Sequence, residues 1–316
     1  MINPRQVRSV LLYYINDDCQ CHTRAHSLAR NKMDKTEFYH VDDVEFNSLC
    51  TKRPPYSVYD IYEIDQQLQS GGFGTVFAGR RKIDDLAVAI KRVWKPNVIS
   101  WCINGDRKVT GEIFFLEKLR DVDGIVRLIN YFELEDEYLL VLDRKHDDQD
   151  LFDFIADSGT IDEKTSWRLF TQILHINANM YTFGIVHRDI KGENVIVNKY
   201  DCAVKMIDFG SAASFALTDV KSYPATSAIA PYEWVTDGSC EHEGLLMWSL
   251  GILLYNMTHG DEPFKTSRQI VNGVLNLNAE LSMPCRDFIS RCLNRDTSRR
   301  LSLKQAISHD WINTVP

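Results

Sequence analysis

Residues 185–197 read IVHRDIKGENVIV, and KMIDFG follows at residues 205–210. The apolar flanks have the β-branched character of short strands, so the polar residues between them sit on a loop at the edge of a core. On that loop Asp189 can accept the proton of an attacking hydroxyl and Lys191 can neutralise charge on a phosphate in transit. Asn194 and Asp208 can hold magnesium ions. Asp208 ends an apolar strand and is followed by Phe209, an apolar anchor, and Gly210, a hinge. An ordinary polar loop accounts for any one of these residues, but not for all of them in this order and spacing.

Upstream, QSGGFGTV at residues 69–76 lies between two strand-like runs, YEIDQQL (62–68) and TVFAGRR (75–81). Glycines between two strands argue against a dinucleotide or Walker loop, which opens a helix, and for a hairpin folded over phosphates. Gly71, Gly72 and Gly74 allow close backbone approach. Gln69 stands where such a loop has its first glycine, and if that position needs positive φ the residue costs ~1–2 kcal/mol. The next strand, LAVAIKRV (86–93), supplies Lys91 to reach the phosphates and Ala89 as a small apolar surface for a base. VTGEIFFLEKLRDV (109–122) reads as a helix with Ile113, Leu116 and Leu119 on one face, and its Glu112 is the candidate to hold the Lys91 ammonium.

The strands IVRLINYFE (125–133) and YLLVLD (138–143) follow, and beyond Asp150 the signals are mostly helical. A capping box of Thr160 with Glu163 is expected to start a helix that stops at Gly184, and EGLLMWSLGILLYNM (243–257) forms a long apolar helix. The fold class is α+β, a β-rich lobe followed by an α-rich lobe.

Residues 1–58 form an extension ending near KRPPY, whose prolines bar a helix. PRQVRSVLLYYI within it is compatible with one amphipathic helix or with a disordered tail. The domain proper is read as 59–313, its first lobe about 59–143 and its second about 146–313. The net charge of −8 falls wholly on residues 61–316, because residues 1–60 balance eight basic against eight acidic side chains. That distribution argues against nucleic acid as a partner and for basic peptides. The eight cysteines lack a disulfide framework's spacing, and Cys19, Cys21, His22 and His26 match no usual zinc finger. With no apolar run near ~20 residues, the chain is expected to be cytosolic or nuclear, off the membrane, and to act as a monomer.

SGGFGTVFAG, VAIKRV, QDLFDFI, VHRDIKGEN, IDFGSAA, WSLGILLYNM and SHDWI together resemble the Pim serine/threonine kinases over about residues 59–313. The resemblance implies a two-lobed protein kinase fold with ATP and Mg2+ in the cleft. It places Leu68, Gly71, Gly72, Gly74, Val76, Ala89, Lys91, Leu142, Asp143, Lys145 and Ile196 around ATP, with Lys91, Glu112, Asp189 and Lys191 in catalysis. The hinge spans Leu142 to Lys145, and Lys145, where Pim kinases have proline, is expected to offer adenine its N–H. The peptide-reading acids of the family map onto Asp150, Asp153, Glu193 and Asp261, which implies protein substrates with serine or threonine near arginine. Thr226 corresponds to a threonine that contacts the catalytic loop.

Other positions depart from the common kinase pattern. Gly192, Asn256 and Lys265 stand where the Pim family has acids, which weakens the outer peptide groove, and Leu246 stands where most kinases carry an aspartate. Glu233 survives in P-Y-E and is expected to pair with Arg300. Arg188 calls for an anion: either the carboxylate of Asp219 reaches it by a shifted loop, or a phosphate on Ser222, Thr218 or Tyr223 supplies it, with Ser222, in register with the family's acidic positions, favoured. Because Lys91, Asp189, Asn194 and Asp208 all persist, an active enzyme is the expected reading. The alternatives are a pseudokinase that binds nucleotide or partners without turnover, and a structural docking domain.

Overall fold

The computed structural model describes residues 57–71, 74–105, 107–215 and 230–314, all within the compact unit Pro55–Pro316. The helix expected near the N-terminus and the Cys19 to His26 cluster lie outside the described residues.

A one-turn helix, α1 (Val58–Ile61), leads into β1 (Tyr62–Gly71), β2 (Gly74–Arg81) and β3 (Leu86–Trp94). After the hairpin β4 (Trp101–Asn104) and β5 (Arg107–Thr110) and helix α2 (Gly111–Lys118) come β6 (Leu128–Glu133) and β7 (Glu137–Asp143). The sheet is antiparallel in the order β1-β2-β3-β7-β6. Period-two alternation divides β3 between two faces. Val88 and Ile90 pack with Tyr62, Ile129, Phe132, Leu139 and Val141 in one core, so Ala89 and Lys91 point the other way.

Helix α2 is shorter than the sequence pattern suggests. Val109 and Thr110 belong to β5, and Thr110 caps the helix by accepting the Ile113 N–H. Ile113, Leu116 and Leu119 are buried on one face, as their spacing predicts. The β4–β5 hairpin was not anticipated, although Asn104-Gly105 between strand-forming residues is a hairpin signal, and Gly105 takes φ +59°.

The second lobe begins with β8 (Asp148–Asp150) and α3 (Leu151–Ser158), then α4 (Glu163–Thr182). The cap of α4 is Asp162, which accepts the Thr165 N–H at 3.0 Å, and not Thr160. Glu163 is drawn instead into tertiary bonds, accepting from Ser282 N, Ser282 Oγ and Trp311 Nε1. The strands β9 (Ile185–Val186), β10 (Val195–Asn198), β11 (Val204–Met206) and β12 (Ala213–Ser214) frame the polar loop, and β10 lies between β8 and β11.

Helix α5 (Tyr232–Asp237) precedes α6 (His242–His259), which is buried around most of its circumference, as its uniformly apolar sequence requires. Leu246, at the position where an acid was noted as missing, is part of that core. The chain closes with α7 (Ser267–Asn272), α8 (Met283–Cys292), α9 (Leu303–Ile307) and α10 (Asp310–Asn313). Among the described residues no helix is long and apolar enough to cross a membrane.

Candidate active site

Lys91 projects from β3 into a cluster that joins three distant parts of the chain. Its Nζ donates to both Glu112 carboxylate oxygens at 2.7 and 2.8 Å and to Asp208 Oδ1 at 2.8 Å. Burial alone pulls the ammonium's pKa down, but the carboxylates of Glu112 and Asp208 more than reverse this and hold it above its ordinary value. Lys91 is therefore a fixed cation at neutral pH. Asp208 is desolvated too, yet Lys91 and the Gly210 N–H keep its pKa below the usual carboxylate value.

The loop around Asp189 is organised by its neighbours. His187 is fully buried, which lowers its pKa and keeps it neutral. Its Nε2–H donates to Ile207 O at 2.8 Å, leaving Nδ1 to accept the Asp189 N–H at 3.3 Å. Asn194 Nδ2 donates to Asp189 Oδ2 and Asp189 O, both at 2.8 Å, while Lys191 Nζ stands 3.1 Å from Asp189 Oδ2. A carboxylate and an ammonium thus stand side by side on this loop. Arg188 and Asp208 have φ +66° and +61°, a conformation costing of order 1–3 kcal/mol that surrounding bonds must hold, and such residues cluster at active sites. Arg188 is anchored by its Nε–H donating to Ser211 O at 2.7 Å.

The donor set also suits a divalent cation. Asn194 turns its amide nitrogen to Asp189 and so presents Oδ1 on the opposite edge, and Asp208 commits Oδ1 to Lys91 and Gly210. An amide oxygen and a carboxylate oxygen are the hard ligands that magnesium takes while keeping several of its waters.

In the first lobe's sheet Ala89 pairs with Ala78 and Leu142, and Val76 pairs with Lys91; in the second lobe Ile196 pairs with Asp150 and Lys205. Leu68 is partly exposed on β1. Gln69 lies in the extended strand, opposite Val76 and beside a bulge, and is not among the residues with positive φ, so it carries no strain. Gly74 is indispensable: it has φ +141°, and a Cβ there would sit 2.0 Å from Arg92 O. Gly71 pairs with Gly74 across the turn, and Gly72 lies outside the described residues. Asp143 turns its carboxylate to Lys205 and to the Arg127 N–H.

The hinge differs from expectation at Lys145. Its N–H is not free for a base but donates to Asp148 Oδ2 at 2.9 Å, because the chain turns back at once into β8.

The protein kinase domain family matches residues 62–312. The chain belongs to the protein kinase family. It is 36% identical to the serine/threonine-protein kinase pim-2 of Danio rerio over 79% of this chain and 84% of the relative. It is 33% identical to the serine/threonine-protein kinase prk-2 of Caenorhabditis elegans, and 30% identical to the serine/threonine-protein kinase ppk6 of Schizosaccharomyces pombe. The first of these two matches covers 79% of this chain and 58% of the relative, the second 80% and 33%. The molecule is a protein serine/threonine kinase, and family membership implies use of ATP and a divalent metal.

Around the kinase's catalytic loop the acids form an uneven field. Asp150 caps α3 by accepting the Asp153 N–H at 2.8 Å. Burial raises its pKa, and the charges of Asp153 and Glu193 raise it further, so these three share one field. Asp261 is different: Lys265 Nζ lies 2.6 Å from its Oδ2, so its charge already has a partner, in a pair exposed to solvent. Glu262, which sequence reasoning passed over, joins the field instead. Its pKa is raised by burial and by Asp261 and Glu193. The signal was the neighbouring acid in G-D-E-P, which the family pattern does not mark. At position 192 a Cβ would meet Phe152 N at 2.9 Å, so Gly192 lets α3 pack closely on the loop.

Arg300 donates through Nη1 and Nη2 to the two Glu233 oxygens at 2.7 and 2.8 Å, and its guanidinium lies 5.0 Å from the Trp248 ring centre. The kinase's Thr218, Asp219, Ser222, Tyr223 and Thr226 lie outside the described residues.

Proposed function

We propose that this kinase transfers the γ-phosphate of magnesium-bound ATP to serine or threonine hydroxyls preceded closely by arginine, in the manner of the Pim kinases it resembles. The observation that carries this reading is the contact set of Asp189, whose carboxylate is held by Asn194 and neighbours Lys191, two residues from the acid Glu193. In this reading Asp189 orients the substrate hydroxyl and accepts its proton, Lys191 balances charge on the transferred group, and Lys91, fixed by Glu112, holds the nucleotide phosphates. Bound magnesium, held by Asn194 and Asp208, would neutralise charge on the phosphates.

A guanidinium beside the hydroxyl meets the combined field of Asp150, Asp153, Glu193 and Glu262, whereas a more distant arginine meets Asp261 already paired with Lys265. Near arginines are therefore favoured over distant ones, and added salt weakens the preference. A scaffold without turnover would leave the Lys91 and Asp189 clusters idle, and buried charges are costly to keep without use.

The test is transfer of labelled γ-phosphate to serine, threonine and tyrosine peptides with arginine scanned through the preceding positions, with Asp208→Asn as control. Magnesium-dependent transfer to serine with a near-arginine preference is expected. Equal transfer to tyrosine, no basic preference, or equal activity of the control overturns the reading.

A further inference from the structure

We infer that Asp148 withholds the hinge donor from the nucleotide: its carboxylate occupies the Lys145 N–H, so a purine base is held in the cleft without that hydrogen bond. The inference deepens the nucleotide reading proposed above and rests on it.

Lys145 is not a proline, so its backbone carries a donor at the position that, by the resemblance to the Pim kinases, the hinge turns toward the base. That donor is spent on Asp148 Oδ2 at 2.9 Å, and the Asp148 N–H approaches Lys145 O at 3.4 Å, closing a turn over residues 145–148. The carboxylate is held at its other end too, where Asn198 Nδ2 donates to Asp148 Oδ1 at 3.3 Å. Asn198 is itself buried and fixed, its Oδ1 accepting from Tyr200 N at 3.1 Å and Asp201 N at 3.4 Å. Asp148 also sits opposite Asn198 in the β8–β10 ladder, which fixes its backbone.

A hydrogen bond to a carboxylate is roughly twice as strong as one between neutral groups. A neutral adenine nitrogen therefore does not displace Asp148 from the Lys145 N–H. Two consequences follow. Affinity for adenine nucleotides is lower than the hinge backbone permits, and discrimination against guanine is weakened. The relevant adenine nitrogen accepts a hydrogen bond, whereas the corresponding guanine nitrogen carries a hydrogen and is repelled by a free N–H.

The experiment uses the full chain and measures Mg·ADP and Mg·GDP affinity by calorimetry for wild type, Asp148→Ala, Asp148→Asn and the double variant Asp148→Ala with Lys145→Pro. Asp148→Ala is expected to tighten ADP by roughly three- to tenfold, the worth of one amide hydrogen bond, while GDP is not tightened. The KM for ATP falls with kcat unchanged. Asp148→Asn keeps an acceptor oxygen but loses the charge, so it tightens ADP by less than Asp148→Ala does, and adding Lys145→Pro abolishes the gain. An Asp148→Ala protein with unchanged or weaker ADP affinity, or with equal tightening of both nucleotides, overturns the inference. Amide hydrogen exchange at Lys145 in nucleotide-free protein reads the cap separately. Faster exchange in Asp148→Ala than in wild type and Asp148→Asn is expected, and equal exchange in all three overturns it. A wild type that binds neither nucleotide, with the Lys145 amide still protected by Asp148, instead overturns the nucleotide reading of the cleft.

Discussion

Replacing Lys91 with methionine removes the cation from the most charged buried cluster of the described residues. Lys91 and Glu112 are each 4% exposed, and the ammonium lies 2.7 Å from one carboxylate and 2.8 Å from another. At an effective dielectric constant near 20, each contact is worth about 6 kcal/mol of gross Coulomb attraction, most of it offset by desolvation of the partners. What remains after truncation is a buried Glu112 with no cation, and such uncompensated charges destabilise by about 3–5 kcal/mol.

The loss depends on pH with a definite sign. Burial raises the Glu112 pKa above its ordinary 4.5, with the nearby Asp208 charge acting in the same direction and Lys91 opposing both. Without Lys91 the upward shift grows, so the folded variant binds a proton more tightly than the unfolded one. Its stability is then greatest below about pH 4.5, the unfolded value, and falls as pH rises through the raised folded value. Urea unfolding of wild type and Lys91→Met from pH 4.5 to 8 should show a gap of about 3–5 kcal/mol at neutral pH that narrows on acidification. Adding Glu112→Gln should recover most of the stability and none of the phosphotransfer. A gap below about 1 kcal/mol at pH 7.5, or one that widens as pH falls, refutes this account of the cluster.

Two further substitutions test the frame around the site. Glu233→Gln leaves the Arg300 guanidinium, 2% exposed, without its anion, and should lower the melting temperature by roughly 6–20 °C, from a cost of ~3–5 kcal/mol at about 2–4 °C per kcal/mol; a shift under about 2 °C in thermal denaturation shows the pair to be dispensable. Lys265→Ala releases Asp261 from its ion pair and should raise the benefit of a distant arginine in a positional peptide library by about two- to fivefold, the scale of an exposed charge contact, with no change for near positions.

Much of the fold and site was legible because the residues concerned act locally. The strand alternation of LAVAIKRV, the apolar spacing in GEIFFLEKL and the Asp189 to Asn194 loop depend on neighbours a few positions away, and backbone period and side-chain chemistry over that range are written directly in the chain. The β4–β5 hairpin was also local and its Asn104-Gly105 turn readable, but the helical spacing that follows obscured it. The choice of Asp162 over Thr160 as a cap was not readable, since either can cap, and what decided it was Glu163 being claimed by Ser282 and Trp311 from the far end of the chain. Tertiary structure likewise decided that Lys91 meets Asp208 across 117 positions and that Glu262 joins Glu193. The Asp148 cap on the Lys145 N–H and the Asp261–Lys265 pair, by contrast, join residues only three and four positions apart and were local contacts that the sequence reading passed over. Sequence determines which groups can donate, accept or carry charge. Which partner each one meets depends on where packing brings distant segments together, because hydrogen bonds and ion pairs act over only a few ångströms.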